Sequence, residues 1–391
     1  MKPAYFLLYF ILLSTFVFSQ NFEYASIKVT SVSFSGNDLK IKKDDGSGSY
    51  TKPNWTAALP NKSPVAYVSG NAPSVSASFT FECANAPSTF NIRGEGSDSI
   101  TFPSQKVTLT KTSSNAYKFD YLETVGTHVF APEVVRFFKP FVINWQVSFD
   151  NGTNWRKIGE TKTTLYVLYK VPQAEVGEFQ WFQTVYDLSC RNAQYKTNDK
   201  DIIAGIWTEF TDHIVLNYNN DSLFYYKTSA PQNVTLAQLL KYRDAQCYTF
   251  AQLFLAAIKI QGIVRTNNYV QIWPNGTACG NRINGFLVKN FGFNQKLSNP
   301  PCSDFPYGVS GIKNLPGLPG SCTNKPTGNF SDHQVTKIDG VYYDPSYGTT
   351  ATTLKEIRDN SLDGWTMLSG AAWYYSSNVS LGVLKEVITT Y

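Results

Sequence analysis

The sequence predicts two folded parts behind a short leader: an all-β sandwich of immunoglobulin-like character over residues 20–172, then an α+β domain over residues 173–391. Three observations carry this. From Glu23 to about Pro172, β-branched and aromatic residues recur at period two in short runs parted by turn signals. After Pro172 the apolar spacing turns helical, and beyond Gly262 it returns to strands. Helices first and antiparallel strands afterwards is the α+β order.

The leader is "MKPAYFLLYFILLSTFVFSQ". One lysine precedes an apolar run that closes on Val17 and Ser19, which predicts a signal peptide over residues 1–19 cut before Gln20. The run is short for a membrane span, which needs about 20 residues; an uncleaved anchor is the rival reading. Nothing later is apolar over a spanning length, so the mature chain is expected to be secreted or extracytoplasmic, without a membrane span. The sandwich strands are read in "ASIKVTSVSFSG", "SVSASFTFEC", "QKVTLTKTS", "AYKFDYLE", "FVINWQVSFD" and "TTLYVLYKV", with turns at "KDDGSGS", "GEGSDS" and "DNGTN". Helices follow in "FQWFQTVYDLSCRNA" and "DKDIIAGIWTEFTDHI". Thr235 offers an N-cap for "LAQLLKYR", and "QCYTFAQLFLAAIKIQG" is a strongly apolar helix with Gly262 as its C′ stop. "IVRTNNYVQIW", "HQVTKI" and "VYYDPS" read as strands.

The balance of 34 basic to 29 acidic side chains is mild and spread out, which argues against nucleic acid as a partner. Six cysteines in an exported chain favour pairing. Cys302 and Cys322 bracket a Gly/Pro-rich insertion, and a bond between them would stabilise by about 3 kcal/mol, although sequence alone leaves the pairing open. With three histidines and no CxxC, no metal and no cofactor are expected. Asn-x-Ser/Thr sequons matter only in a host that glycosylates.

The chemistry is expected where two distant stretches meet. Asp339-Gly340 between two β-rich runs predicts a two-residue type I′ hairpin. That register sets Ile338 against Val341, Lys337 against Tyr342, Thr336 against Tyr343 and Val335 against Asp344. His333 then shares a face with Asp344, while Asp332 points away. Cys247 opens the apolar helix, where the unpaired N–H groups and the dipole favour a thiolate. A histidine beside a thiol takes its proton, and a carboxylate holds that histidine in one tautomer. The spacing therefore offers Cys247, His333 and Asp344 as nucleophile, base and orienter. A buried core cysteine is the bland alternative for Cys247.

"AQCYTFAQLFLAAIKIQGIVR" also resembles the nucleophile helix of the transglutaminase-like superfamily, in which animal transglutaminases carry Gly-Gln-Cys-Trp-Val-Phe-Ala. "DHQVTKIDGVYYDPSYG" is similar to the second signature, a His-Ala-Trp followed by a turn and a strand ending in Asp-Pro. The resemblance runs from about Phe179 to Gly348. It implies a papain-like core with a Cys–His–Asp triad that performs acyl transfer on peptide or glutamine amides, with Cys247, His333 and Asp344 in those places. Val335 stands where the family has Trp, and Val264 where it has Pro before Arg265. The insertion lengthens the interval from Cys247 to His333, which leaves the substrate open. A protein or peptide substrate is the expected partner.

The remaining marked residues have blander readings. His128 is expected in a loop, His213 as a helix cap or exposed group, and Cys83 and Cys190 as buried thiols or disulfide halves. Trp207 is read as core ahead of an oxyanion donor, for which the N–H of Cys247 is preferred. Two rivals stand against an enzyme: a non-catalytic binding protein that keeps the fold, with Cys247 buried or bonded, and a carbohydrate-binding surface protein acting through the sandwich.

Overall fold

The computed structural model describes residues 26–58, 63–175, 180–225, 235–266, 268–278, 280–288, 329–369, 372–376 and 382–389. The expected leader, Cys279 and the Cys302–Cys322 insertion lie outside the described residues. Two compact units make up the chain. One comprises residues up to Leu39, Tyr50–Pro132 and Phe138–Tyr166; the other comprises Lys40–Ser49, Glu133–Phe137 and the chain from Val167 onward.

The first unit is all β. Its strands are β1 (Ser26–Ser35), β2 (Trp55–Thr56), β3 (Val65–Val68), β4 (Ser74–Glu82), β5 (Thr89–Gly96), β6 (Thr101–Thr108), β7 (Thr110–Lys111) and β8 (Ala116–Val125), with most of β9 (Arg136–Ser148) and β10 (Arg156–Leu168). They form two five-stranded sheets, in orders β2-β1-β4-β8-β7 and β3-β10-β9-β5-β6. Alternation along β4 turns Ala77, Phe79 and Phe81 inward, and β9 does the same with Phe141, Ile143, Trp145 and Val147. The sheets meet through rings: Phe79 on Trp145 at 5.3 Å, Tyr121 on Trp145 at 5.4 Å, and Phe90 on Phe119 at 4.9 Å between centroids. Each such side chain contributes about 1.5–3 kcal/mol through burial, and edge-on ring pairs add about 0.5–1.5 kcal/mol.

Three strands in this unit escape the periodicity, β2 among them with only two residues. β3 is only "VAYV", too short to show a period. "GEGSDS" reads as a turn, yet Gly94 and Gly96 belong to β5. A Cβ at Gly94 would lie 3.0 Å from Ile143 and 3.3 Å from Trp145, so the glycine there lets a neighbouring strand's side chains approach.

The second unit holds helices Gln183–Asn192, Asp199–Thr211, Leu236–Tyr242, Cys247–Lys259 and Leu354–Ser361. Short strands β11 (Phe224–Tyr225) and β12 (Asp244–Ala245) pair in parallel, and β14 (Thr277–Ala278) pairs with β15 (Asn281–Arg282). The main sheet has the order β20-β19-β18-β13-β23, built from β13 (Tyr269–Asn275), β18 (His333–Ile338), β19 (Val341–Asp344), β20 (Thr349–Ala351) and β23 (Val383–Thr389). A smaller sheet, β17-β16-β21-β22, joins β16 (Gly285–Val288), β17 (Asn329–Phe330), β21 (Leu362–Ser369) and β22 (Ala372–Ser376). Taken together the described residues are mostly β.

Some element ends differ from the sequence reading. The strand expected from Ile263 starts at Tyr269. The apolar helix stops at Lys259 with Ile260 as C-cap, so Gly262, at φ 74°, sits one residue beyond the C′ position. A Cβ at Gly262 would come 2.5 Å from the Val171 carbonyl oxygen, and that close approach demands glycine there. Among the described residues no helix is long and apolar enough to cross a membrane.

Candidate active site

Cys247 is placed by what precedes it. Thr235 and Gln238 close a capping box that starts the Leu236–Tyr242 helix. Arg243, in the left-handed region at φ 60°, ends it. The chain is then held for two residues as β12 against β11, with Asp244 and Ala245 buried. Gln246 stays extended as the N-cap without a side-chain cap bond, and Cys247 becomes the first helical residue. Phe250, one turn on, packs edge-on against Tyr225 at 6.1 Å, locking the helix to β11.

His333 and Asp344 are placed by the hairpin. Asp339 (φ 49°) and Gly340 (φ 84°) both take positive φ, as a type I′ turn requires. The strands pair Ile338 with Val341, Lys337 with Tyr342 and Thr336 with Tyr343. Val335 packs with Tyr342, Val270, Ile272 and Ala351 on one face, beneath Leu354 and Ile357. Tyr343 on the opposite face packs against Trp207 at 5.0 Å and Phe254 at 5.3 Å. Trp207 is therefore a core ring, as expected. Asp332 accepts from Gln271 and Gln334 and takes no part in the pair.

The imidazole Nε2 of His333 lies 2.8 Å from Oδ2 of Asp344, with both side chains buried. Oδ1 of Asp344 accepts the N–H of Ser346 at 3.1 Å, and Oδ2 accepts the hydroxyl of Ser361 at 3.4 Å. Because a carboxylate accepts and Nε2 donates, Nδ1 is the ring nitrogen left for a thiol. Nδ1 is buried and makes no hydrogen bond of regular geometry. Cys247 nevertheless stands close enough to act on the ring. Burial works against the imidazolium, but the Asp344 carboxylate, and then Cys247, outweigh it and hold the His333 pKa well above its ordinary value. Cys247, His333 and Asp344 are 6%, 2% and 3% exposed.

Cys247 is a free thiol, as are Cys83 and Cys190. His128 is exposed and bonds Thr127. Among the described residues no cluster of His, Cys, Asp or Glu could hold a metal ion.

No family model matches this chain, and no curated protein matches it. The site is thus read on its own chemistry: a thiol at a helix start, a buried imidazole raised toward its charged form, and a carboxylate held by three donors. Sequence reasoning missed two of those three, the Ser346 N–H and Ser361. It also missed Tyr347, whose ring stands edge-on to His333 at 5.8 Å. Ser346 and Tyr347 directly follow the Asp-Pro that marked Asp344, so the tight turn there was the available signal. Ser361 carried none, since it arrives from the end of a separate helix.

Proposed function

We propose that this chain is a thiol enzyme that transfers acyl groups from peptide or glutamine amides, with Cys247 as nucleophile, His333 as base and acid, and Asp344 as orienter. The buried 2.8 Å pair between His333 and Asp344, beside a free cysteine that opens a helix, carries the reading. The resemblance to the transglutaminase-like superfamily and its papain-like core supports it, as does the all-β first unit in the place of the immunoglobulin-like sandwich. An exported location follows from the leader and belongs to the same proposal.

In the first half-reaction His333 takes the thiol proton at Nδ1. The sulfur attacks the amide carbon, and the C–S bond forms as the carbonyl becomes an oxyanion near the Cys247 N–H. The C–N bond then breaks, with His333 returning its proton to the leaving nitrogen. In the second half, water or a primary amine attacks the thioester, His333 accepts its proton, and the C–S bond breaks. Water gives hydrolysis and an amine gives crosslinking. Asp344 stabilises the imidazolium in both halves.

The near-complete burial of Cys247 favours one alternative, a non-catalytic binding protein that retains the fold. Incubation with a peptide library, with and without a primary amine, separates the two when products are read by mass. Shortened peptides or amine adducts that vanish in Cys247→Ala support the enzyme. Unchanged peptides in both proteins would leave the binding protein standing.

A further inference from the structure

We infer that His213 is a positioning residue for the His333 imidazole, acting through Tyr347; the inference rests on the thiol-enzyme reading above. The Asp199–Thr211 helix ends abruptly. Asp212 is its C-cap, and His213 takes the left-handed region at φ 64°, with its N–H on the Phe210 carbonyl at 3.3 Å. From there its Nε2 lies 3.0 Å from the Tyr347 carbonyl oxygen. A carbonyl only accepts, so Nε2 carries the hydrogen. The neutral Nε2–H tautomer and the imidazolium both meet that need, and the contact holds whichever charge His213 carries.

The turn that receives this bond is pressed onto the helix end. The Tyr347 N–H closes the turn on the Asp344 carbonyl at 3.2 Å. Gly348 follows at φ 60°; a Cβ there would overlap the Phe210 carbonyl oxygen and come within 3.1 Å of the His213 ring. Glycine at 348 is thus required twice, by backbone and by space. Tyr347 is wedged between two rings: edge-on to His333 at 5.8 Å and edge-on to Tyr225 at 6.0 Å. Tyr225 in turn packs on Phe250 of the cysteine helix.

One hydrogen bond at Nε2 leaves an imidazole free to swing about that contact. Tyr347 takes up this freedom, and His213 fixes Tyr347. Losing the His213 bond therefore lets Nδ1 drift from the sulfur while the Asp344 contact survives. Misplacement of that size costs about 10- to 100-fold in a proton-transfer step.

The test uses the full-length protein and iodoacetamide, with Cys247 alkylation followed by peptide mass from pH 5 to 9. His213→Asn suits the left-handed backbone but falls short of the Tyr347 carbonyl, whereas His213→Gln returns an N–H near the Nε2 position. The expected result is alkylation about 10-fold slower at mildly acidic pH in His213→Asn, recovery in His213→Gln, and like unfolding midpoints for both. Should His213→Asn fail to fold, Tyr347→Leu carries the test, since it keeps the carbonyl and removes the ring; the same slowing is expected. If His333→Ala leaves the wild-type profile unmoved, the thiol-enzyme reading fails and this inference with it. If His333→Ala shifts the profile while His213→Asn, or Tyr347→Leu in its place, does not, His213 has no positioning role and the enzyme reading stands.

Discussion

Two helices of the second unit carry a buried free cysteine, and they treat it in opposite ways. In Gln183–Asn192 the cysteine comes late in the helix. Cys190 is fully buried, with the Gln261 amide at 3.6 Å and the Val167 carbonyl at 3.8 Å from its sulfur. Burial pushes that thiol far up, so the environment keeps the proton on. In Cys247–Lys259 the cysteine leads the helix, and its neighbour is the imidazole that its own charge helps to protonate. The helix starts differ as well. Neither Phe182 nor Gln246 caps with its side chain. The Cys190 helix receives an acceptor from far away: Asp44 takes the Thr184 N–H at 3.1 Å and the Thr184 hydroxyl at 2.5 Å. The other helix presents a thiol at its start. The same residue type becomes inert packing or a candidate nucleophile according to its place along a helix and the group across from it.

The largest effect is a swap of consequences between the two cysteines. Cys247→Ala should abolish turnover of any amide the protein processes. Cys190→Ala should keep turnover and cost about 1 kcal/mol of stability, read by denaturant unfolding. Turnover that survives the first substitution and disappears with the second would reverse the assignment.

Next in size are the partners of Cys247. His333→Ala should slow turnover about 10²- to 10⁴-fold. Asp344→Asn, which keeps the base but disturbs its tautomer, should cost less. Single-turnover rates measure both, and an Asp344→Asn loss exceeding that of His333→Ala would contradict the roles given.

A smaller effect lies in acid stability. The folded pKa of His333 is raised, so its stabilising contribution is fully present below the unfolded value, about 6.5, and is lost as pH rises through the folded value. His333→Gln should lower the unfolding midpoint most below about pH 6.5, with the deficit shrinking at higher pH. A deficit equal at every pH would remove the charged pair from the account.

The smallest effect concerns the cap of the inert helix. Burial pushes the Asp44 carboxyl up to about 6 from 3.8. The folded state then holds this proton more tightly than the unfolded one, and stability falls as pH rises between those values. Asp44→Asn, neutral throughout and still an acceptor for Thr184, should flatten that fall and raise the midpoint at pH 7. Calorimetric scans across that window decide it; a lower midpoint at pH 7 would show that the charged cap is the stabilising form.

What the sequence made legible was local. The Asp339-Gly340 turn sets the hairpin register, and with it the shared face of His333 and Asp344, because both ends of that argument lie within a dozen residues. Thr235 and the apolar run after Cys247 announce their helices for the same reason. The contacts that support the site come from elsewhere in the chain, Ser361 onto Asp344 and His213 onto Tyr347, and so does the one that starts the Cys190 helix, Asp44 onto Thr184. Each joins polar residues through one or two hydrogen bonds, with no period or spacing to reveal it. The glycines of β5 misled for a physical reason too: a residue that serves tight turns also serves a strand whose neighbours need room.

The route of the chain bears on how such a protein is inherited and handled. The second unit is collected from three separated stretches, Lys40–Ser49, Glu133–Phe137 and everything from Val167. Recombination with two breakpoints cannot transplant it as a cassette, and no single proteolytic nick liberates it whole. A gene fragment opening at Gln173 would leave Asp44 on the discarded side, and its first helix would have to begin without the carboxylate that normally receives it.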